Sequence, residues 1–198
     1  MENLNHTFFL WLNAPAEPNS WVLFSATFFA EYLILAIPIF FGLAWLRGNT
    51  QTRQGLLVAS AAVLLGLVIS QLIGIVWPHP RPFVIGLGHN FLPHAADSSF
   101  PSDHLTIWLS AAFSFLFQRR LGKLGMTMVV LGLPIAWARI YLGVHYPADM
   151  LGAAVVAAFS AWLTLRFARF YLPSVFSIAS SIHRRLFGKL IALGWVSQ

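Results

Sequence analysis

The sequence predicts an all-α integral membrane protein: one helical bundle of five transmembrane helices, with its C-terminal segment as a candidate sixth. Three observations carry that prediction. Of 198 residues, 58% are hydrophobic and 9% charged, with a mean hydropathy of +0.73. Water-soluble domains carry roughly 25% charged residues, so this chain cannot cover a water-facing surface. Five stretches are apolar enough to cross a bilayer, which takes about 20 residues in a helix and fewer where protein shields the ends. The cations then fall on alternate connections between those stretches, as membrane topology requires.

In chain order, Met1 to Ala16 holds no Lys or Arg and lacks the basic start of a cleaved signal peptide. Residues 1–20 are expected to form a short interfacial segment, because His6 to Leu12 is too short to span. The spans follow as Trp21–Trp45, which is its own insertion signal, Gly55–Trp77, Ser102–Phe117, Leu124–Leu142 and Pro147–Phe167. A loop rich in His, Pro and Gly runs from Pro78 to Pro101. Trp21, Trp45 and Trp77 stand at span ends, where indole rings favour the headgroup region. The basic tail, residues 174–198, mixes apolar residues with His183, Arg184, Arg185 and Lys189. It is expected to lie on the membrane as an amphipathic helix. Without cysteine, neither disulfides nor thiolate chemistry are available.

Arg47, Arg53, Arg119, Arg120, Lys123, Arg166, Arg169, Arg184, Arg185 and Lys189 all fall on one side of five spans. The positive-inside rule makes that side the cytoplasm. The net charge of +6 therefore reflects topology and implies the bilayer, not nucleic acid, as partner. Arg81 and Arg139 fall on the other side. Around them gather three blocks that alternating span directions bring to one face: His79-Pro80-Arg81-Pro82, Phe100-Pro101-Ser102-Asp103-His104, and Arg139 with His145 and Asp149.

These residue types suit phosphoryl transfer. Two guanidiniums match phosphate oxygens and spread developing charge. Ser102 adds a hydroxyl donor at a helix start, where free backbone N–H groups favour anions. One histidine can attack phosphorus while the other protonates the leaving oxygen. Asp149, four residues after His145, would share a helical face with it and orient its ring. Asp103 is expected to serve the dipole at the start of its helix. Glu31, deep in the first span, is costly there unless paired or protonated. It reads equally as a partner of the site, as a proton-handling group or as a hydrogen-bonding residue between helices. His79, His89, His94 and His104 match no zinc spacing, so no metal and no cofactor are expected. His89, Asn90 and His94 are expected in a mobile loop near the headgroups.

The pattern Arg81-Pro82, Pro101-Ser102-Asp103-His104, and Arg139, His145 and Asp149 in that spacing resembles the phosphatidate phosphatase type 2 superfamily. The Asp in Pro-Ser-Asp-His and the Arg-Pro-Phe context look most like bacterial bacitracin-resistance-type undecaprenyl-diphosphatases. The resemblance implies His145 as nucleophile, Asp149 as its orienting partner and His104 as general acid, with Arg81, Ser102 and Arg139 binding phosphate. It implies a polyprenyl diphosphate substrate, recycling of the carrier lipid for cell-wall synthesis, and a multi-pass protein of the bacterial inner membrane. The family's Lys seven residues before Arg-Pro is Gly74 here, with His79 a candidate substitute, and Ala138 stands where many members have Ser.

Overall fold

The computed structural model describes residues 2–197; Met1 and Gln198, the outer ends of the N-terminal segment and the basic tail, lie outside them. The described residues are helical, without strands: α1 (Glu2–Leu12), α2 (Ser20–Arg47), α3 (Thr50–Val76), α4 (Asp103–Phe117), α5 (Gly122–Tyr141) and α6 (Pro147–Ala192). Helices α2, α3, α5 and α6 are long and apolar enough to cross a membrane, and α4 is a shorter apolar helix. The expected spans coincide with these five helices, overrunning them by one residue at Trp77, Ser102 and Leu142, and the chain is a multi-pass membrane protein.

At 1.5 Å per residue, α4 rises only about 22 Å, less than a bilayer's hydrocarbon thickness. Its position removes the problem. It packs against α3, α5 and α6, and buries Leu105, Trp108, Leu109, Ala111, Ala112 and Phe115 among them. Trp108 Nε1, which needs a partner once buried, donates to the Met128 carbonyl on α5 at 2.7 Å. The close approach of α5 to the end of α4 depends on glycine. A Cβ at Gly125 would lie 2.2 Å from the Leu116 backbone nitrogen. Exposed apolar side chains such as Leu64, Val68, Leu133, Leu151 and Val155 face outward from the bundle, as lipid contact requires.

Two helices are irregular. α2 passes through a π turn at Phe28–Tyr32 and a 3₁₀ turn at Leu33–Leu35. Such bulges re-aim backbone groups, and the Ala30 carbonyl here accepts from Arg139 Nη1 at 3.4 Å. α6 runs 46 residues through Pro173, so the basic tail continues the fifth span as one helix. Ser180 and His183 on it are buried, His183 against Trp45 and Arg53, while Ile178, Ile182 and Leu186 are exposed.

The helix ends opposite the basic tail carry the loops. The N-terminal α1 is fastened there: Asn13 Nδ2 donates to the carbonyls of His89 and Tyr141 at 2.9 and 3.0 Å. Asn5 Oδ1 accepts from the Ala148 N–H at 3.0 Å, and Phe9 is buried against Tyr146. Gly143 has φ +85°, and a Cβ there would strike the His89 carbonyl oxygen at 2.1 Å. The α5–α6 turn and the long loop can therefore meet only over a glycine.

Candidate active site

The first turn of α6 sets the site. Pro147 takes the first helical position, where its missing N–H costs nothing. Asp149 reaches back, its Oδ2 accepting from the Tyr146 N–H at 2.8 Å, as in a capping box. The same oxygen stands 3.1 Å from His145 Nδ1 and accepts from the Ser99 hydroxyl. A carboxylate on Nδ1 fixes that nitrogen as the N–H and leaves the Nε2 lone pair free.

Nε2 faces two guanidiniums, with Arg81 Nη1 at 3.1 Å and Arg139 Nη2 at 3.4 Å. Arg81 is held on every side: Nε donates to Asp97 Oδ1 at 2.8 Å, Nη1 to the Val144 carbonyl at 3.0 Å and Nη2 to the Ser98 carbonyl at 3.2 Å. Arg81, Arg139, His145 and Asp149 are all buried, at 4%, 1%, 1% and 1% exposure. Burial, then the positive fields of Arg139 and Arg81, and then those of His94 and His104, hold the His145 pKa well below its ordinary value. The ring is therefore neutral, the form in which it can attack.

Arg139 Nε and Ser102 Oγ, beside His145, are two of five buried polar atoms without a hydrogen-bond partner among the described residues; the others are the hydroxyls of Thr106, Ser110 and Ser180. Unpaired donors of this kind are expensive, and a phosphate's oxygens are the acceptors that the two beside His145 lack. With an oriented imidazole, two arginines and an unsatisfied hydroxyl, the arrangement can bind a phosphate and attack it.

Of the residues the sequence singles out, Arg81, Ser102, Arg139, His145 and Asp149 lie in the buried cluster. His104 stands half-buried on the first turn of α4, within electrostatic reach of His145. Asp103 does more than serve the start of its helix. It is the first helical residue, not the cap, and its carboxylate crosses to α3, accepting from Ser70 Oγ at 2.5 Å and Gln71 Nε2 at 2.6 Å. Glu31 sits exposed on the π turn, within electrostatic reach of Arg139. His79 is not brought to His145. Its Nε2 lies 4.0 Å from Glu2 Oε1 and its ring packs on Trp77 at 5.5 Å. Both line a separate groove of about 320 Å³ with His6 and Tyr146. The groups gathered at His145 include no metal cluster among the described residues.

Sequence reasoning missed two contributors. Ser99 is fully buried and donates to Asp149. His94, expected in a mobile loop, instead stands edge-on to His145 with ring centroids 6.2 Å apart. Arg81 holds the C-terminal part of that loop at the site through Asp97 and Ser98. The signal was the dense polar run Asp97-Ser98-Ser99 before Phe100-Pro101.

The model of the PAP2 superfamily matches residues 55–172, which include every one of these clustered residues. The chain belongs to the PAP2 superfamily. Among its relatives, YbjG of Escherichia coli (strain K12) is 39% identical over 99% of this chain and 98% of its own length. Undecaprenyl-diphosphatase BcrC of Bacillus subtilis (strain 168) is 38% identical over 94% of this chain and 95% of its own. The crystal structure of Aquifex aeolicus LpxE has the same fold, with a TM-score of 0.67 at 20% identity, covering 82% of this chain and 95% of that one.

Proposed function

We propose that this PAP2 protein is an undecaprenyl-diphosphatase, which hydrolyses undecaprenyl diphosphate to undecaprenyl phosphate and inorganic phosphate. One observation carries the reaction class: a buried imidazole with Nδ1 on a carboxylate and Nε2 between two arginines. The substrate rests on near-full-length similarity to an undecaprenyl-diphosphatase.

The terminal phosphate binds to Arg81, Arg139 and Ser102, replacing the water its oxygens lose with fixed donors. His145 Nε2 places its lone pair on phosphorus as the bond to the bridging oxygen breaks, and that oxygen leaves with the electron pair as the lipid phosphate. Asp149 stabilises the imidazolium that forms, the role a carboxylate has beside an attacking-base histidine. Water then attacks the phosphohistidine, giving up a proton as the P–N bond breaks, and inorganic phosphate and His145 are regenerated. His104 supplies a proton to the leaving oxygen. An alkoxide needs that proton more than a phosphate does, because it is far more basic. No step calls for a metal or cofactor.

The site is read as facing the exterior or periplasm of the bacterial inner membrane, with the C-terminus cytoplasmic. The support is the charge map: of twelve Lys and Arg residues, only Arg81 and Arg139 stand at the site's end. That orientation puts the enzyme where a carrier lipid is left as diphosphate after delivering its cargo.

The test is phosphate release by purified protein from undecaprenyl diphosphate, phosphatidate and phosphatidylglycerol phosphate, with chelator present. The diphosphate should be preferred and chelator should have no effect. Preference for a monoester, or loss of activity with chelator, would overturn the assignment.

A further inference from the structure

We infer that His94 forms a second phosphate subsite, which holds the leaving phosphate of a diphosphate substrate while Arg81, Arg139 and Ser102 hold the phosphate under attack. The inference rests on the diphosphatase reading above and names a group that reading leaves unused.

The argument starts from what a diphosphate adds. It carries a second charged phosphate next to the first, and after P–O cleavage that phosphate holds the new charge. The donors around His145 Nε2 are taken up by the first phosphate, so the second needs its own. His94 is the side chain placed to meet it. Its ring stands edge-on to His145 at 6.2 Å between centroids, an interplanar angle of 76°. It is partly buried, with 21% of its side chain exposed. His94 and His104 both lie within electrostatic reach of His145, so His94 shares the site with the residue assigned to the leaving oxygen.

The ring is also oriented. Nδ1 lies 3.2 Å from the Ala95 carbonyl and 3.9 Å from Asp97 Oδ1. With Nδ1 as donor to that carbonyl, Nε2 is the nitrogen left for the substrate. Asp97 in turn binds Arg81 Nε at 2.8 Å, so one carboxylate ties His94 to the arginine on the nucleophile. The loop reaches this position because α3 offers no side chain at 74. A Cβ on Gly74 would already be 3.3 Å from Ser98 Cβ, tighter than ordinary contact, and Ser98 is the residue whose carbonyl receives Arg81 Nη2.

In the empty site, burial and then the field of Arg81 keep the His94 pKa below its ordinary value. Arrival of a multiply charged diphosphate reverses that balance. The imidazole takes a proton from solvent, and Nε2–H donates to a non-bridging oxygen of the leaving phosphate. No bond to His94 forms or breaks during transfer. It binds the phosphate in the ground state and more strongly as negative charge builds on it.

The experiment compares His94→Asn with wild type by two readouts. Asn keeps an amide near the Ala95 carbonyl but does not reach the Nε2 position. The first readout is kcat/KM on undecaprenyl diphosphate. The second is inhibition by orthovanadate, which mimics only the phosphate under attack. We expect kcat/KM to fall about tenfold or more, the scale of a lost hydrogen bond to a charged group, with the vanadate inhibition constant within about twofold of wild type. Diphosphate kcat/KM within about threefold of wild type would overturn the subsite. So would vanadate binding weakened in proportion, since His94 would then support the whole pocket. If wild type itself releases no phosphate from the diphosphate, the substrate assignment fails, and that result is separate from any behaviour of the variant.

Discussion

The two ends of the bundle each bury an arginine against a histidine, and the two pairs do different things. At the loop end Arg81 Nη1 lies 3.1 Å from His145 Nε2; at the basic end Arg53 Nη2 lies 3.0 Å from His183 Nε2. Arg53 is 3% exposed and His183 2%, as deeply buried as their counterparts. The partners differ. His183 Nδ1 accepts from Trp45 Nε1 at 3.2 Å, and its Nε2 also meets the Ser197 carbonyl at 2.9 Å. Arg53 Nε donates to the Trp45 carbonyl at 2.9 Å and Nη2 to the Ser197 carbonyl at 2.8 Å. Trp45 engages Nδ1 of His183 while the Ser197 carbonyl and the Arg53 guanidinium meet its Nε2, and the cluster ties the tail to the α2–α3 junction. His145 instead has a carboxylate behind it, two arginines in front, and Arg139 Nε and Ser102 Oγ without partners. Ser180 Oγ, one turn before His183, is also buried without a partner, so unpaired donors alone do not separate the two ends. What separates them is the carboxylate on Nδ1 and the second arginine on Nε2, which make the His145 pair a site and leave the His183 pair a fastening.

The sharpest way to break this contrast is to truncate both histidines. His145→Ala should lose phosphate release by at least ~10³-fold, since no other group can take the nucleophile's place. His183→Ala should keep activity within a few-fold but lower the melting temperature in detergent, at a cost of about 1–3 kcal/mol for the buried partners left unpaired. Phosphate assays and thermal melts on both variants check this. Comparable activity losses would erase the distinction.

Asp149→Asn removes the charge behind His145 while keeping its shape. A loss of roughly 10²–10⁴ in kcat is expected, because the ring loses both its orientation and the stabilisation of its cationic form. Arg139→Lys keeps the charge and discards the fork, so a loss of about 10²-fold is expected. Vanadate inhibition should weaken alongside it.

A smaller effect concerns pH. His145 must be neutral to attack, and its pKa lies below the ordinary 6.5, through burial first and then Arg139. The acid limb of kcat/KM should therefore fall below pH 6.5, with activity lost only as pH drops through that lowered value. Arg139→Gln removes a positive field that keeps the proton off. The same limb in that variant should move to higher pH, and a limb that stayed put or moved down would contradict the electrostatic account.

Much of this was legible in the sequence, for identifiable reasons. Long apolar runs must be helices in lipid, because no water satisfies the backbone there, so the five spans could be placed within a few residues. Alternating span directions then put Arg81, His104, Arg139 and His145 at one end of the bundle. The π turn of α2 was hidden, since nothing in Phe28–Tyr32 marks an extra residue in the turn. The role of the long loop was hidden for a different reason. His94 and Ser99 have no periodicity to place them, and their positions follow from what Arg81 and Asp149 bind. The tail's continuity with α6 was obscured by Pro173, which a helix this long accommodates.

The central claim is that His145 carries the phosphate between lipid and water. The direct measurement is a rapid, acid-free quench of enzyme mixed with undecaprenyl diphosphate labelled in its terminal phosphate, followed by mapping of the labelled residue. The account predicts acid-labile, base-stable label on His145 in wild type and none in His145→Ala. Label on another residue, or phosphate release that persists in His145→Ala, would contradict it.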